Sequence, residues 1–553
     1  MDRHEALRRI DATLKARGFK ETGPGFADYE GSIPVHGTPV DITLSIPDVR
    51  FAAKPVLTLK DRSQIPLDTL AHIETGNGIC YASGAGLPVD LYEPGPAILR
   101  VLEEAKRTLE LSFKGRAVRE IIDEFQQYWY SELGVRCLVP KTPSAAVKKA
   151  SLFIAKLGDK PQFMCLADKA DLRGYNSLAL GLAQIWSVDA PIGPAAGIRA
   201  PNTLAELQRW FAGQAGLGKS RWNAAFSALS EGQNLFVAAP NAFVGLRLER
   251  PKDLEAGIKR GSIRKQAVPK LLAARSAAIK LERFSGAWCS IEDITARNSV
   301  EQNTLKGKSI ALVGCGTIGS HLARMLVQSG AGIGAHLSIF DNQYLSEGNI
   351  GRHLLGFADI GKRKAFALKA ELERFHPQVQ VNAYVEDATA MWELLATHDL
   401  IIDATGDWNV QSVLNEQFLE NVDANVSALL HTWVFMNGAG AQSFLNVRDD
   451  LACFRCLKPQ FDGPWRYPAG DEKDELNLQP ASCGDGAFIP FSVDASCMAA
   501  SLANRAALDL AGGKAGQRLR TVQVDPERGR YHKPVSPKPV PQCPACGPRR
   551  SAA

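Results

Sequence analysis

A glycine-rich turn between an apolar strand and a helix constrains the fold of this chain more than any other feature. Gly314, Gly316 and Gly319 form the pattern GxGxxG directly after the apolar run IALV. Glycines at these spacings permit a tight turn, and the N-terminus of the following helix then offers N–H groups to a phosphate. Asp341 ends the next predicted strand, where a carboxylate can accept hydrogen bonds from ribose hydroxyls. The pattern predicts a doubly wound, Rossmann-like α/β sheet that binds a nucleotide.

The residues that follow Asp341 indicate which nucleotide is bound. An NAD enzyme does not need an amide and two cations beside the phosphates, whereas an enzyme that attacks the α-phosphate of ATP does. Arg352 and Lys364 are suited to neutralise phosphate charge, and Asn349 is suited to hold a phosphate oxygen. Asp403 ends the strand LIID at the carboxyl edge of the sheet, where we expect it to bind Mg²⁺.

Two CxxC pairs predict a metal centre in the same domain. Cys453 and Cys456 form the first pair, and Cys543 and Cys546 form the second. Four thiolates make the tetrahedral coordination of a structural Zn²⁺ site, and two pairs in one domain favour zinc over a redox dithiol. With 11 cysteines in 553 residues the chain is not a secreted disulfide scaffold, so we expect a cytoplasmic protein with reduced thiols.

Together these motifs resemble the ThiF/MoeB/ubiquitin-activating superfamily of adenylating enzymes, over roughly residues 297–547. In that family ATP adenylates the C-terminal glycine carboxylate of a ubiquitin-like protein. The resemblance implies a homodimer in which an arginine before the first strand, here Arg297, reaches the ATP of the partner. It assigns the ribose to Asp341, the phosphates to Asn349, Arg352 and Lys364, and Mg²⁺ to Asp403.

Cys483 lies between the two CxxC pairs in the segment ASCGDG, among small residues that leave a thiol accessible. In the ubiquitin-activating enzymes a cysteine of this crossover region takes the ubiquitin-like protein as a thioester after adenylation. The resemblance therefore implies that Cys483 is the first acyl acceptor.

The first part of the chain shows a helix, a β-meander, an irregular loop with Cys80, and further helices. This order resembles ubiquitin-conjugating enzymes over about residues 1–135, which implies that Cys80 is an acyl-carrying thiol. The His-Pro-Asn tripeptide of eukaryotic members is absent, because Ile73 follows His72. Whether His72 acts in catalysis or only organises the loop stays open.

We expect three domains: a conjugating-like α+β domain (residues 1–140), a connecting domain of mixed α/β structure (141–270) and the adenylation domain (271–553). This order resembles the fused ligases of bacterial anti-phage operons, the best known of which belong to CBASS systems. The resemblance implies an ATP-dependent ligase that joins the C-terminus of a cGAS-like nucleotidyltransferase, or of a ubiquitin-like protein, to a target. Cys483 would pass the acyl group to Cys80.

The charge balance of 64 Lys and Arg against 59 Asp and Glu is too even to predict a nucleic-acid surface. No apolar run is long enough to predict a membrane span. Three alternatives remain at this point. They are a sulfur-carrier activator of the ThiF/MoeB kind, an NAD-dependent oxidoreductase built on the same turn, and a scaffold without catalytic activity.

Overall fold

The computed structural model divides into two compact units. The first comprises residues 1–137, 142–168 and 175–287, and the second comprises residues 138–141, 169–174 and 288–553. The residues that the structure describes are 2–23, 27–61, 63, 72–73, 76–81, 87, 89–113, 117–129, 131–141, 146–195, 198, 200–297, 303–422, 425–435, 437–480 and 487–548. Among them, no helix is both long and apolar enough to cross a membrane.

The first unit begins with the predicted helix and β-meander, and the meander has four antiparallel strands. Ala6, Ile10 and Leu14 recur at helical spacing and are buried in the apolar core of this part of the chain. The helices of this part are α1 (Arg3–Lys15), α2 (Pro94–Phe113), α3 (Ala117–Asp123) and α4 (Phe125–Tyr128). The strands are β1 (Lys20–Glu21), β2 (Asp28–Val35), β3 (Thr38–Ser45) and β4 (Val56–Leu59).

The rest of this unit contains a closed β-barrel with the strand order β10-β11-β5-β7-β6-β8-β9. Gly245 and Gly286 lie directly against phenylalanine rings, because a Cβ at either position would come within 2.3 Å of a ring carbon. The strands are β5 (Gly134–Cys137), β6 (Val147–Lys156), β7 (Phe163–Ala167), β8 (Asn176–Ser187), β9 (Asn234–Ala238), β10 (Phe243–Leu248) and β11 (Leu281–Trp288). The helices are α5 (Leu204–Ala212), α6 (Gly218–Ser230), α7 (Lys252–Lys259) and α8 (Val268–Ala274).

The second unit is built on a seven-stranded sheet of order β14-β13-β12-β15-β16-β17-β20. The first five of these strands are parallel to one another. The strand β17 pairs antiparallel with both of its neighbours, β16 and β20. The strands are β12 (Ile310–Val313), β13 (Leu337–Phe340), β14 (Val381–Tyr384), β15 (Leu400–Asp403), β16 (Ala428–Phe435), β17 (Gly440–Asn446) and β20 (Leu519–Gln523). A separate short pair consists of β18 (Gln479–Pro480) and β19 (Ala487–Phe488).

Helices cover both faces of this sheet, which confirms the doubly wound prediction. One apolar core lies under α10, α11 and α14, and the other lies under α12 and α13. The helices are α9 (Ile291–Arg297), α10 (Thr317–Gln328), α11 (Lys364–Phe375), α12 (Trp392–Leu395), α13 (Trp408–Glu420) and α14 (Val493–Ala511). The chain leaves β12 towards β13 on one side and returns to β15 on the other, which opens a crevice at the carboxyl ends of these strands.

Candidate functional site

A cleft of about 410 Å³ opens at this crevice. Most of its walls come from the glycine turn after β12 and from the loops after β13, β14 and β15, which the sheet topology brings together. Its lining residues include Gly314, Gly316, Thr317, Asp341, Gln343, Asp387, Thr405, Asp407 and Phe491. The space and its position are those that a nucleotide occupies in doubly wound sheets.

The glycine turn has the geometry that close approach of a phosphate requires. Gly314 has a φ of +88°, and a Cβ at Gly319 would lie 1.8 Å from the carbonyl oxygen of Gly314. Gly316 lines the cleft and caps α10, and no described atom lies within 4 Å of the position that its Cβ would take. The backbone N–H groups at the start of α10 therefore face open space that suits an anion.

Asp341 and Lys364 lie close to the same wall. The carboxylate of Asp341 accepts hydrogen bonds from the backbone N–H groups of Cys315 and Gln343, both at 2.8 Å. Lys364 is 5% exposed, and its Nζ donates to Oε1 of Gln343 at 2.7 Å. Gln343 itself lines the cleft, so the Gln343 side chain lies between the cleft and the ammonium group of Lys364.

Asn349 and Arg352 lie on a 3-10 helix, Glu347–Arg352, and neither is a lining residue of the cleft. The Asn349 Oδ1 accepts from the backbone N–H and the hydroxyl of Ser346, at 3.0 and 3.1 Å. The guanidinium carbon of Arg352 lies 4.5 Å from the ring centre of Phe491, which does line the cleft. Partial burial lowers the pKa of Arg352 below its ordinary value.

Asp403, at the end of β15, and Asp407, in the loop after it, differ sharply in exposure. Asp403 is 0% exposed, and its Oδ1 accepts from the backbone N–H of Thr405 at 3.0 Å and from its hydroxyl at 2.7 Å. Its Oδ2 lies 2.8 Å from Nδ1 of His431. Asp407 is exposed and lines the cleft, and its carboxylate accepts hydrogen bonds from the backbone N–H groups of Asn409 and Val410 through Oδ1.

The two CxxC pairs come together in space. The sulfur atoms of Cys453, Cys456, Cys543 and Cys546 all lie within 4.8 Å of one another, and all four residues are buried. The Sγ–Sγ distances are 3.7 Å between Cys453 and Cys543 and 3.4 Å between Cys456 and Cys546. A tetrahedral centre with Zn–S bonds of about 2.3 Å separates its sulfur atoms by about 3.8 Å. The cluster therefore has the dimensions of a four-thiolate metal site.

In the first unit, Cys80 is half-buried beside His72. The backbone N–H of Cys80 donates to the carbonyl of His72 at 2.8 Å, and Ile73 bridges to Ile79 between them. The imidazole Nδ1 lies 2.7 Å from Oε1 of Glu124, and Nε2 lies 3.4 Å from Oε2 of Glu120. The contact with Glu124 raises the pKa of His72. Two carboxylates therefore hold this ring next to the turn that carries Cys80.

Two further residues were expected at the site, Arg297 and Cys483. Arg297 ends α9 and is exposed. Cys483 falls in residues 481–486, outside the described residues.

Comparison with known proteins assigns a family to each end of the chain. Residues 291–545 match the ThiF family, and residues 3–136 match prokaryotic E2 family B. The chain therefore combines an E2-like region with a ThiF-like region, as an ATP-dependent activating and conjugating enzyme does. A relative from Pseudomonas aeruginosa, an "ATP-dependent ubiquitin transferase-like protein Cap2", is 26% identical over 98% of this chain and 99% of its own length.

Two further relatives match parts of this enzyme. A Cap2 protein of the same description from Escherichia coli is 29% identical over 43% of this chain and 41% of its own length. A molybdopterin-synthase adenylyltransferase from Salmonella typhimurium is 30% identical over 29% of this chain and 62% of its own length. The matches confirm the predicted resemblance to a fused activating and conjugating enzyme that depends on ATP.

Sequence reasoning missed two residues of the ThiF-family domain. The rule that ligands bind at strand ends points to Asp403, the last residue of the predicted strand, and not to Asp407. The sequence GDWN carried a signal for Asp407, since an aspartate directly before a helical segment is a common N-cap at an exposed loop. His431 was also missed, because only the pairing of β15 with β16 places it opposite Asp403.

The glycines of the ThiF-family domain provide a matched pair of substitutions. We expect Gly319→Ala to reduce the free energy of unfolding by about 3 kcal/mol, because its Cβ would lie 1.8 Å from the backbone oxygen of Gly314. Gly316→Ala should cost only about 1 kcal/mol, as a changed N-cap, and should weaken ATP binding because its methyl group enters the cleft. Urea unfolding and calorimetric ATP titration measure the two effects. Equal stability of both variants would contradict this description of the turn.

Proposed function

We propose that this enzyme uses ATP to activate the C-terminal carboxylate of a partner protein and transfers the acyl group through two cysteines to a target. The observation that carries the proposal is the combination, in one chain, of a nucleotide-type cleft and an E2-like domain with a half-buried thiol in its loop. The relative that matches 98% of the chain is described as ATP-dependent and ubiquitin transferase-like, which supports the same combination.

In the first step, a carboxylate oxygen of the partner attacks the α-phosphorus of ATP. The bond from the α-phosphorus to the bridging oxygen breaks, and pyrophosphate leaves with that electron pair. We infer that the start of α10 holds the phosphates, and that Arg352, Lys364 and Asn349 neutralise or hold their oxygens. Asp341 accepts hydrogen bonds from the ribose hydroxyls. Of these groups, Asp341 and the glycine turn already line the cleft.

The residue best suited to hold Mg²⁺ is Asp407. Sequence reasoning proposed Asp403, but its carboxylate is fully buried and both of its oxygens are bonded within the protein. Asp407 presents a carboxylate at the cleft, and hard oxygen donors are what Mg²⁺ prefers. When bound there, the ion would offset negative charge on the phosphates.

In the second step, the thiolate of Cys483 attacks the acyl carbon of the adenylate, and AMP leaves as the C–O bond breaks. The thiolate of Cys80 then attacks the same carbon and displaces the Cys483 thiolate. An amine or hydroxyl of the target finally displaces the Cys80 thiolate and gives its proton to solvent or a nearby base. Such a relay divides one difficult condensation into exchanges of similar free energy after ATP has driven the first.

The four-cysteine cluster is proposed to bind a structural Zn²⁺ ion. Its donor set is all thiolate, its sulfur atoms are spaced for tetrahedral coordination, and all four residues are buried. A closed site of this kind stabilises the fold and leaves no coordination position for substrate.

For the partner, we propose a cGAS-like nucleotidyltransferase or a ubiquitin-like protein with a free C-terminus, in an anti-phage system such as CBASS. We also propose a cytoplasmic homodimer in which Arg297 reaches the ATP of the second subunit. A second candidate is activation of a sulfur carrier, which the match to a molybdopterin-synthase adenylyltransferase favours. That activity would leave the E2-like domain without a role, so dependence of the product on residues 1–135 separates the two.

ATP–pyrophosphate exchange with the candidate partner tests the first step. We expect exchange with wild-type enzyme and with Cys483→Ala and Cys80→Ala, because neither thiol acts before the adenylate forms. Asp407→Asn keeps an N-cap oxygen for α13 and should lower exchange at least about 100-fold, because charge stabilisation at the phosphates is lost. Binding of NAD without any exchange would instead favour an oxidoreductase and would contradict the proposal.

A further inference from the structure

A buried acid and histidine lie directly behind the nucleotide cleft. Asp403 ends β15, and His431 is its partner in the register of the parallel strand β16. Both side chains are 0% exposed, and Nδ1 of His431 lies 2.8 Å from Oδ2 of Asp403. An ionised carboxylate in such a place is costly unless donors surround it, and Asp403 has His431 on one oxygen and Thr405 on the other.

The carboxylate of Asp403 holds the loop that forms one wall of the cleft. Thr405 donates to it through both its backbone N–H and its hydroxyl. The same hydroxyl oxygen accepts from the backbone N–H of Asp407 at 3.2 Å. Thr405, Gly406 and Asp407 all line the cleft. Each end of this loop therefore depends, directly or through one hydrogen bond, on the position of the Asp403 carboxylate.

On its other side, the His431 ring contacts the four-cysteine cluster through one side chain. The ring centres of His431 and Phe454 lie 4.5 Å apart. Phe454 is fully buried and stands between Cys453 and Cys456 in the sequence. Phe454 also packs against Trp408, the first residue of α13 after Asp407, with ring centres 5.5 Å apart. The cluster and the cleft loop therefore share the same aromatic neighbour.

The hydrogen-bonding state of His431 follows from its surroundings. Among the described residues, Nε2 of His431 is buried without a hydrogen-bond partner. A proton there would leave a donor unsatisfied in the interior, which costs more than an unpaired ring acceptor beside aromatic side chains. The Nδ1–H tautomer therefore donates to Asp403, and the ring fixes the orientation of that carboxylate.

We propose that His431 is a positioning residue for ATP activation: it fixes Asp403, and Asp403 in turn holds residues 405–407 in the cleft wall. Phe454 links this support to the four-cysteine centre, so that loss of the metal loosens the same loop. The inference rests on the proposed function only for its catalytic consequence, because the loop contacts exist without nucleotide.

Two substitutions of His431 each keep a side-chain N–H donor but place it at different positions. The side-chain N–H₂ of asparagine reaches the place of imidazole Nδ1, whereas that of glutamine extends towards the place of Nε2. We expect hydrogen–deuterium exchange of residues 404–410 in His431→Asn to stay within about threefold of wild type. In His431→Gln that exchange should rise about tenfold, because Asp403 loses its fixed donor. Wild-type exchange rates in His431→Gln, or equal increases in both variants, would overturn the proposal.

Two further readouts make the result decisive. In ATP–pyrophosphate exchange, His431→Gln should lower kcat about tenfold while the KM for ATP changes less than threefold, because the glycine turn and Asp341 still bind the ground state. Removal of the metal from wild-type enzyme by a chelator should raise deuterium uptake in residues 404–410. If His431→Gln does not fold, Thr405→Val against Thr405→Ser tests the second part of the proposal, the hold of Asp403 on the loop, because only serine keeps the hydroxyl that Asp403 accepts from. Equal loop protection in those two variants would also overturn the proposal. Absence of pyrophosphate exchange in wild-type enzyme would contradict the proposed function alone, since the deuterium readout does not depend on it.

Discussion

Replacement of Cys80 by alanine is expected to abolish conjugation to the target, while ATP–pyrophosphate exchange and the thioester on Cys483 persist. In the proposed relay, Cys80 accepts the acyl group only after both earlier steps. Removing a nucleophile that carries a covalent intermediate typically costs orders of magnitude in rate. Non-reducing gels of enzyme, partner and ATP should show a thiol-sensitive adduct in Cys80→Ala and no conjugated target.

The complementary variant and a matched thiol control complete this experiment. Cys483→Ala should lose both the thiol-sensitive adduct and the conjugate. Cys497 lies on α14 and is half-buried like Cys80, so Cys497→Ala should behave as wild type. Conjugation that persists in Cys80→Ala would contradict the relay and would assign target transfer directly to Cys483.

Loss of one ligand of the four-cysteine cluster is expected to produce the largest change in stability. Cys543→Ser should reduce the free energy of unfolding by about 4 kcal/mol, because loss of the proposed zinc ion would leave buried thiols of the cluster without their common partner. In a unit of this size such a loss corresponds to a decrease in Tm of about 10 °C. Differential scanning calorimetry, together with zinc content by atomic absorption, measures both consequences.

Cys497→Ser is again the control, because it removes a thiol outside the cluster. The wild-type enzyme and this control should each contain one zinc ion per chain, and Cys543→Ser should contain less. An unchanged Tm in Cys543→Ser, or wild-type enzyme that binds no metal, would show that the cluster is not a structural zinc site.

The sequence predicted the features that depend on local geometry. The GxGxxG turn, the alternating strands and helices after it, and the helix and meander at the start all have short-range signals, and the structure confirms them. The two CxxC pairs were recognisable because the chemistry of four thiolates limits what they can do. The two pairs lie far apart in sequence, and the distances between their sulfur atoms confirm that they come together in the fold.

Features that depend on distant pairing were not predictable in the same way. The closed barrel joins β11 to β5, two strands far apart in sequence, and no local pattern encodes such a closure. The same limit applies to Asp403: its position at a strand end suggested an exposed ligand, but β16 supplies His431 as a buried partner. Which of two nearby carboxylates faces a cleft is decided by neighbouring strands.

The most direct test of the acyl relay is mass spectrometry of Cys80 after reaction. Enzyme, ATP and a partner with an intact C-terminus are mixed, and the reaction is quenched in acid without reductant. The protein is then digested, and its cysteine peptides are searched for the attached C-terminal peptide of the partner. The relay predicts this peptide in thioester linkage to Cys80 in wild-type enzyme, and its absence from Cys80 in Cys483→Ala. Acylation of Cys80 that is independent of Cys483, or no acylation of Cys80 while the target is still conjugated, would contradict it.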